Sequence, residues 1–189
     1  MNKPPVLGIC AQTSGMGKTT LLEKLLPALA ACGIRVSVIK QTCAEFDIDR
    51  PGKDSHRLRE AGAAQVLLSS PQRWVLMSEQ APDNSDDRLM PLLKHLDGCQ
   101  IDLVLVEGFR HAPVPKIEVY RADADVTLLA WHDHRVIAVA SDTLLPAPVP
   151  LLDLNDATAV AQHILRWMAS ARLAQASGKE FQISAVCSA

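Results

Sequence analysis

The stretch Ser14-Gly15-Met16-Gly17-Lys18-Thr19-Thr20 lies between a short apolar run, Val6 to Ala11, and leucines that recur at helical spacing. A buried strand, a glycine-rich turn and an amphipathic helix form the context in which such a loop binds phosphate. The glycines let consecutive backbone N–H groups point toward an anion, and the helix N-terminus adds its positive dipole end. The sequence therefore predicts a P-loop for a nucleoside triphosphate.

The side chains of this loop are predicted to have different roles in binding. Lys18 is expected to reach the β- and γ-phosphates, and the Thr19 hydroxyl to ligate Mg²⁺. Gln12 stands where the common pattern has glycine, and because glutamine does not relax into positive φ, the start of the loop is expected to depart from the common geometry. The residues predicted to contact the nucleotide are Ser14, Gly15, Met16, Gly17, Lys18, Thr19 and Thr20.

A second apolar strand, Ile101 to Val106, ends in Glu107-Gly108. Ligands bind at the carboxyl ends of strands in open parallel sheets. Glu107 is therefore predicted to hold Mg²⁺ through a water or to orient an attacking water, and Gly108 to present its N–H to the γ-phosphate. The alternative is that the carboxylate only caps the next turn.

Other polar positions carry two interpretations each. Asp49 is a candidate contact of Mg²⁺ or its water shell, as is Asp54, which serves equally well as a helix cap. Asp142 can accept the N1–H and N2–H₂ donors of guanine, although the Asn-Lys-x-Asp guanine reader is absent. Arg110-His111 suggests a second anion site or a solvated loop. His132-x-His134 is more typical of a polar hairpin turn than of a metal site.

The remaining pattern predicts an α/β fold with three layers, a mostly parallel sheet and added antiparallel strands. The first helix should be kinked or end early at Pro27. The acidic segment from Pro82 to Asp87 is predicted to be an exposed loop. The other predicted elements are strands at Val36 to Ile39, Lys116 to Tyr120, Val126 to Trp131 and Val136 to Ala140, a hairpin over Gln65 to Ser78, and helices at Asp54 to Gly62, Arg88 to Leu96 and Asp156 to Ala174.

Composition sets the broad class. The 189 residues are 48% hydrophobic, which suits one domain over residues 1–174 with a frayed tail over 175–189. Nineteen basic against 21 acidic residues give no reason to expect nucleic acid or an anionic membrane. Five scattered cysteines indicate free thiols in a reducing cytoplasm. No run reaches the roughly 18 to 20 apolar residues of a membrane span.

The sequence resembles the family of molybdopterin-guanine dinucleotide biosynthesis protein B, MobB. Besides the P-loop, the resemblance lies in D-I-D-R-P-G-K-D-S at 47–55, A-G-A-A-Q at 61–65, V-E-G-F at 106–109 and I-A-V-A-S-D at 137–142. Shorter matches are I-K at 39–40 and Q-R-W at 72–74. The resemblance as a whole covers most of the chain through about Met168.

The resemblance implies a P-loop, GTP-binding homodimer with weak GTPase activity. It implies phosphate contacts at Gly15, Gly17, Lys18, Thr19 and Thr20, and metal-side roles at Glu107 and Asp49. The implied partner is the molybdopterin guanylyltransferase of the MobA type, and molybdopterin itself is a further possible ligand. Two departures are Gln41 and its neighbours in place of a histidine-rich stretch, and Thr13 in place of a second P-loop lysine.

Two other functions stay open on the sequence. One is a nucleotide-gated adapter for which hydrolysis is incidental. The other is an ATP-dependent ligase or kinase that acts on a small acid, in the manner of dethiobiotin synthetase.

Overall fold

The computed structural model describes residues 3–42, 48–78, 88–122 and 126–176. The chain divides into two compact units, residues 1–41 with 89–189 and residues 42–88. Helix α2 and strands β3 and β4 belong to the second unit. In chain order the elements are β1 Val6–Cys10, α1 Lys18–Ala31, β2 Val36–Lys40, α2 Asp54–Glu60, β3 Gln65–Ser69, β4 Trp74–Ser78, α3 Leu89–Leu93, β5 Leu103–Glu107, β6 Lys116–Tyr120, a 3₁₀ helix Leu129–Trp131, β7 Val136–Ser141, β8 Leu151–Asp153 and α4 Ala157–Ala176.

The first unit is built on a six-stranded sheet in the order β2-β5-β1-β6-β7-β8, and every neighbouring pair in it is parallel. Parallel strands start at one edge of a sheet and end at the other. The residues that follow β1, β2, β5, β6 and β7 therefore leave the sheet at one common edge. Cys10 ends β1 there, directly before the glycine-rich turn.

Side-chain alternation along β5 separates two apolar layers. Leu103 and Leu105 join the core formed with α1 and α4, whereas Val104 and Val106 join a second core that includes Leu89 of α3. Because successive side chains of a strand point to opposite faces, helices cover the sheet on both sides. Such double coverage explains why the central strands are nearly continuous apolar runs.

The second unit contains the antiparallel element. Strands β3 and β4 pair with Gln65 opposite Ser78 and Ser69 opposite Trp74. The Ser70 N–H donates to the Arg73 carbonyl at 2.8 Å and closes the turn between them. The predicted fold class, a mostly parallel α/β sheet with an added hairpin, is confirmed.

Two local predictions differ from the structure, and one strand has no counterpart among the predictions. Residues 126–131 form no strand; the Leu129 and Ala130 N–H groups donate to the Glu118 carboxylate, which starts a 3₁₀ helix instead. Helix α1 does not end early but continues through Pro27 to Ala31, with its buried leucines packed in the core, and the kink expected at Pro27 stays a prediction. Strand β8 is not predicted at all.

Other predictions fall wholly or partly outside the described residues. These are the exposed loop at 82–87 and most of the frayed tail, of which the structure shows residues 175 and 176 as the end of α4. The single-domain assignment over residues 1–174 stays a prediction. Within the described ranges, no helix has both the length and the apolar character needed to cross a bilayer.

Candidate functional site

The glycine-rich turn leads directly into α1. Gly15 and Gly17 have φ of 79° and 92°, a region that glycine occupies readily and other residues rarely. Gly17 is the N-cap of α1, and within the described chain its N-terminus has no side-chain cap. The first amides of a helix lack intrahelical partners, so this end of α1 is built to receive an anion.

A side chain at Gly17 would also displace a neighbouring arginine. A Cβ at this position would lie 3.0 Å from a guanidinium nitrogen of Arg121. Arg121 follows β6, and its Nε donates to the Met16 carbonyl at 3.2 Å. This arginine supports the loop from the β6 side, a role that the sequence analysis missed.

Lys18 lies on the same loop. Its Nζ donates to the Thr13 carbonyl at 3.2 Å, so the ammonium folds back over the turn that it is predicted to serve. A lysine held over inward-pointing amides provides a positive charge for an incoming phosphate. Thr13, which replaces a second lysine, thus contributes its backbone oxygen.

Thr19 and Glu107 meet as the sequence predicts for a metal-side pair. The Thr19 hydroxyl donates to Glu107 Oε1 at 2.7 Å. Lys40, the last residue of β2, joins them: its Nζ lies 3.1 Å from Thr19 Oγ1 and 3.2 Å from Glu107 Oε1. Glu107 is 7% exposed, so this carboxylate is shielded from bulk water.

This donor set fits Mg²⁺. The ion prefers oxygen ligands and is usually held by one or two protein groups, with water and phosphate oxygens completing the shell. A hydroxyl and a carboxylate oxygen 2.7 Å apart supply such a pair. Among the described residues there is no cluster of three or more His, Cys, Asp or Glu side chains suited to a metal, so this is not an all-protein cage.

The turn after Glu107 is tightly constrained. Gly108 has φ of 90°, and a Cβ there would lie 2.9 Å from the Gln41 Cβ. Gln41 Oε1 accepts the Phe109 N–H at 2.7 Å. The Gly108 N–H donates to the Ile9 carbonyl at 3.2 Å, so its predicted donation to a γ-phosphate would require that bond to break.

The start of the loop is held by Gln12. Its Nε2 donates to the Thr127 carbonyl at 3.0 Å, and Arg110 Nη1 donates to the Gln12 carbonyl at 2.9 Å. Phe109 is the one described non-glycine residue with positive φ, so Gln12 adopts an ordinary backbone conformation. Glutamine replaces glycine without strain here, and its side chain ties the loop to neighbouring segments.

Asp142, the candidate guanine reader, is paired in this structure. Its Oδ2 lies 3.0 Å from Arg121 Nη1, and its Oδ1 accepts the Ala122 N–H at 3.1 Å. The pair connects Asp142 to the phosphate loop through Arg121. A role in base recognition would require Asp142 to exchange one of these partners, and it stays a prediction.

The remaining candidates, Asp49 and Arg110, have partners of their own. Asp49 belongs to the second unit, where its Oδ1 accepts the Ser55 hydroxyl at 2.8 Å, a contact that orders the turn before α2. Its predicted metal role stays a prediction. Arg110 contacts His111 as well as Gln12, with 3.3 Å between Arg110 Nε and His111 Nε2.

A buried charged cluster lies on β6, beside β1. Lys116 is 1% exposed, and its Nζ contacts Asp133 Oδ2 at 2.7 Å. Burial opposes ionisation of Asp133, but hydrogen bonds from Lys116 and from the Arg135 N–H outweigh it and lower the pKa of that carboxyl. Burial raises the pKa of Glu118, and burial with the Glu118 charge raises the pKa of Cys10 to about 12.

The chain is similar to known proteins in both sequence and fold. Residues 6–142 match the family described as MobB, molybdopterin guanine dinucleotide synthesis protein B. The chain is 47% identical to the molybdopterin-guanine dinucleotide biosynthesis adapter protein of Escherichia coli over 169 residues, 87% of this chain and 93% of the relative. It is 44% identical to the Haemophilus influenzae adapter protein, over 88% of this chain and 91% of that one.

A solved structure supports the fold. The crystal structure of a molybdopterin-guanine biosynthesis protein B (mobB) superposes with a TM-score of 0.65 at 24% identity, over 86% of this chain and 99% of the other. That likeness concerns the fold alone. The family match over residues 6–142 and the 47% identity to the Escherichia coli relative show that the chain belongs to the MobB family.

Proposed function

We propose that this chain binds GTP with Mg²⁺ at the turn between β1 and α1 and acts as an adapter in the synthesis of molybdopterin guanine dinucleotide. The observation that supports nucleotide binding is the contact of 2.7 Å between the Thr19 hydroxyl and Glu107 Oε1. It lies beside a glycine-rich turn that leads into helix α1. The adapter role is supported by the Escherichia coli and Haemophilus influenzae relatives, which are molybdopterin-guanine dinucleotide biosynthesis adapter proteins.

One set of groups in this site suits the phosphates and another suits Mg²⁺. The amides from Gly15 to Thr20 and the Lys18 ammonium would surround the phosphates, as in other P-loops. Thr19 and Glu107 would hold Mg²⁺, which when bound neutralises charge on the β- and γ-phosphates. Glu107 is also the candidate for orienting a water in line with the γ-phosphate.

Hydrolysis at this site is expected to be slow. A fast phosphoryl transfer centre usually offers an arginine to the transition-state charge. Here Arg110 donates to the Gln12 carbonyl, and Arg121 donates to the Met16 carbonyl while it pairs with Asp142. Both guanidinium groups thus support the loop. A weak GTPase activity fits an adapter better than a metabolic kinase or ligase.

The nucleotide proposal is tested by equilibrium titration with a fluorescent GTP analogue. Lys18→Ala should abolish binding, and Lys24→Ala on the exposed side of α1 is the matched control. Retained micromolar binding by Lys18→Ala would contradict the P-loop assignment. Competition by unlabelled nucleotides decides the base: ATP competing as well as GTP would contradict guanine selection and favour the ligase or kinase alternative.

The adapter proposal needs the partner. A molybdopterin guanylyltransferase of the MobA type should be retained on the immobilised protein, and more strongly with GTP than without. If the chain changes neither the guanylyltransferase product yield nor its own GTP turnover in the mixture, the assisting role is wrong. Retention that depends on GTP but not on its hydrolysis would favour the nucleotide-gated adapter.

A further inference from the structure

The C-terminal end of β2 brings an unassigned cation into the nucleotide site. The Cα atoms of Lys40 and Glu107 are register partners in the parallel pair β2–β5. Lys40 Nζ lies 3.2 Å from Glu107 Oε1 and 3.1 Å from Thr19 Oγ1, and Thr19 in turn donates to the same Oε1 at 2.7 Å. The ammonium, the hydroxyl and the carboxylate form a closed triangle.

The Lys40 ammonium contacts the same two oxygens that fit Mg²⁺. An ammonium donates to these oxygens at about 3 Å, whereas Mg²⁺ binds oxygen ligands at about 2.0 to 2.1 Å. Thr19 Oγ1 accepts the Lys40 hydrogen bond with one of its two lone pairs, which leaves fewer electron pairs for a metal ion. The two cations therefore compete for the same two oxygens.

Charge leads to the same conclusion. Glu107 carries one negative charge in a 7% exposed position, and Lys40 is the lysine whose ammonium meets it. A divalent ion at that carboxylate would be repelled by an ammonium that lies 3.2 Å from the same oxygen. Lys40 is 53% exposed along its side chain, so its ammonium can leave for solvent at modest cost.

We propose that Lys40 is an internal competitor of Mg²⁺ for Thr19 and Glu107, and that it thereby sets how much free Mg²⁺ the chain needs to bind nucleotide tightly. The inference rests on the proposed nucleotide function and adds a residue that controls its metal dependence. Binding of Mg²⁺ and nucleotide would then free only the Lys40 side chain, because the Gln41 N–H still donates to the Glu107 carbonyl at 2.9 Å and Gln41 Oε1 still accepts the Phe109 N–H.

The experiment is a titration of free Mg²⁺ at a fixed concentration of a fluorescent GTP analogue. Lys40→Met keeps the length of the side chain and removes its charge. It should lower the half-saturating Mg²⁺ concentration about threefold to fivefold, which corresponds to one partly exposed ion pair. Lys40→Arg should stay close to the parent, and Lys24→Met on α1 controls for the change in net charge.

The outcomes separate the two claims. An unchanged or higher Mg²⁺ requirement in Lys40→Met, or an equal drop in Lys24→Met, would overturn the competition while leaving nucleotide binding in place. Failure of the parent chain to bind the analogue at every Mg²⁺ concentration would overturn the proposed function and this inference together. A lower requirement confined to Lys40→Met supports the competition.

Discussion

The Thr19 hydroxyl donates to Glu107 Oε1 at 2.7 Å, although the two residues are 88 positions apart in the chain. The contact exists because β1 and β5 are parallel neighbours, with Ile9 opposite Glu107. The turn after β1 and the carboxylate at the end of β5 therefore leave the sheet side by side. This juxtaposition turns two separate motifs into one candidate metal site.

Glu107→Gln should weaken the coupling between Mg²⁺ and nucleotide. The amide keeps a hydrogen-bond acceptor for Thr19 but removes the charge that attracts the ion. We expect the half-saturating Mg²⁺ concentration to rise about tenfold, or about 1.4 kcal/mol. Titration of the fluorescent GTP analogue measures it, and Glu23→Gln on the exposed side of α1 is the control. A Mg²⁺ requirement equal to that of the parent would remove Glu107 from the metal site.

Arg110 and Gln12 should stabilise the fold as well as the loop. Arg110→Met removes donors to the Gln12 carbonyl and side chain, and leaves a part-buried carbonyl without its donor. We expect a loss of about 1 to 2 kcal/mol in the free energy of unfolding, measured by urea denaturation. Gln12→Leu, which keeps that carbonyl bonded, should cost less. Equal losses in the two variants would contradict this ranking.

The sequence predicted the parts of the site that short-range pattern encodes. The order strand, glycine turn and helix identified the phosphate loop, because each element has its own composition rule. Glu107 was found by the same logic, as a polar residue that ends an apolar strand. Helix α1 shows the limit of local rules: an early end at Pro27 was one expectation, yet the helix continues to Ala31, with Leu21, Leu22, Leu25 and Leu29 buried along it.

What the sequence could not supply was the identity of long-range partners. Lys40 reaches Glu107 through the order β2-β5-β1, and that order appears only when the sheet is assembled. Arg121 and Asp142 meet because β6 and β7 are neighbours, with Tyr120 opposite Ser141. Their positions along the chain could have identified Lys40 and Arg121 as site residues. Both lie at the carboxyl end of a strand, where ligands of parallel sheets bind.

The strand predicted from 126 to 131 was wrong because of a similar long-range contact. Its apolar composition suits a strand, but a strand needs a free sheet edge with which to pair. The Glu118 carboxylate instead accepts the Leu129 and Ala130 N–H groups at 2.8 and 2.9 Å. A buried acid on one strand thereby determines the conformation of a segment 11 residues later, which no window of local sequence reveals.

The buried pair of Lys116 and Asp133 should show a strong asymmetry between its partners. Asp133→Ala leaves the 1% exposed ammonium of Lys116 without its carboxylate, and we expect a loss of about 3 kcal/mol. Lys116→Met buries an apolar chain of similar length, while Asp133, whose side chain is 23% exposed, keeps access to water. It should cost less than about 1.5 kcal/mol. Urea denaturation measures both, and equal losses would contradict the buried-charge argument.

The cysteines should differ sharply in reactivity. Cys10 is buried, and burial beside the Glu118 carboxylate raises the pKa of its thiol to about 12, so little thiolate forms near neutral pH. The side chains of Cys32 and Cys99 are exposed. At pH 8 iodoacetamide should modify Cys32 and Cys99 within minutes and leave Cys10 unmodified, as read by peptide mass spectrometry. In urea all three should react alike, and rapid modification of Cys10 in the native protein would contradict its burial at the end of β1.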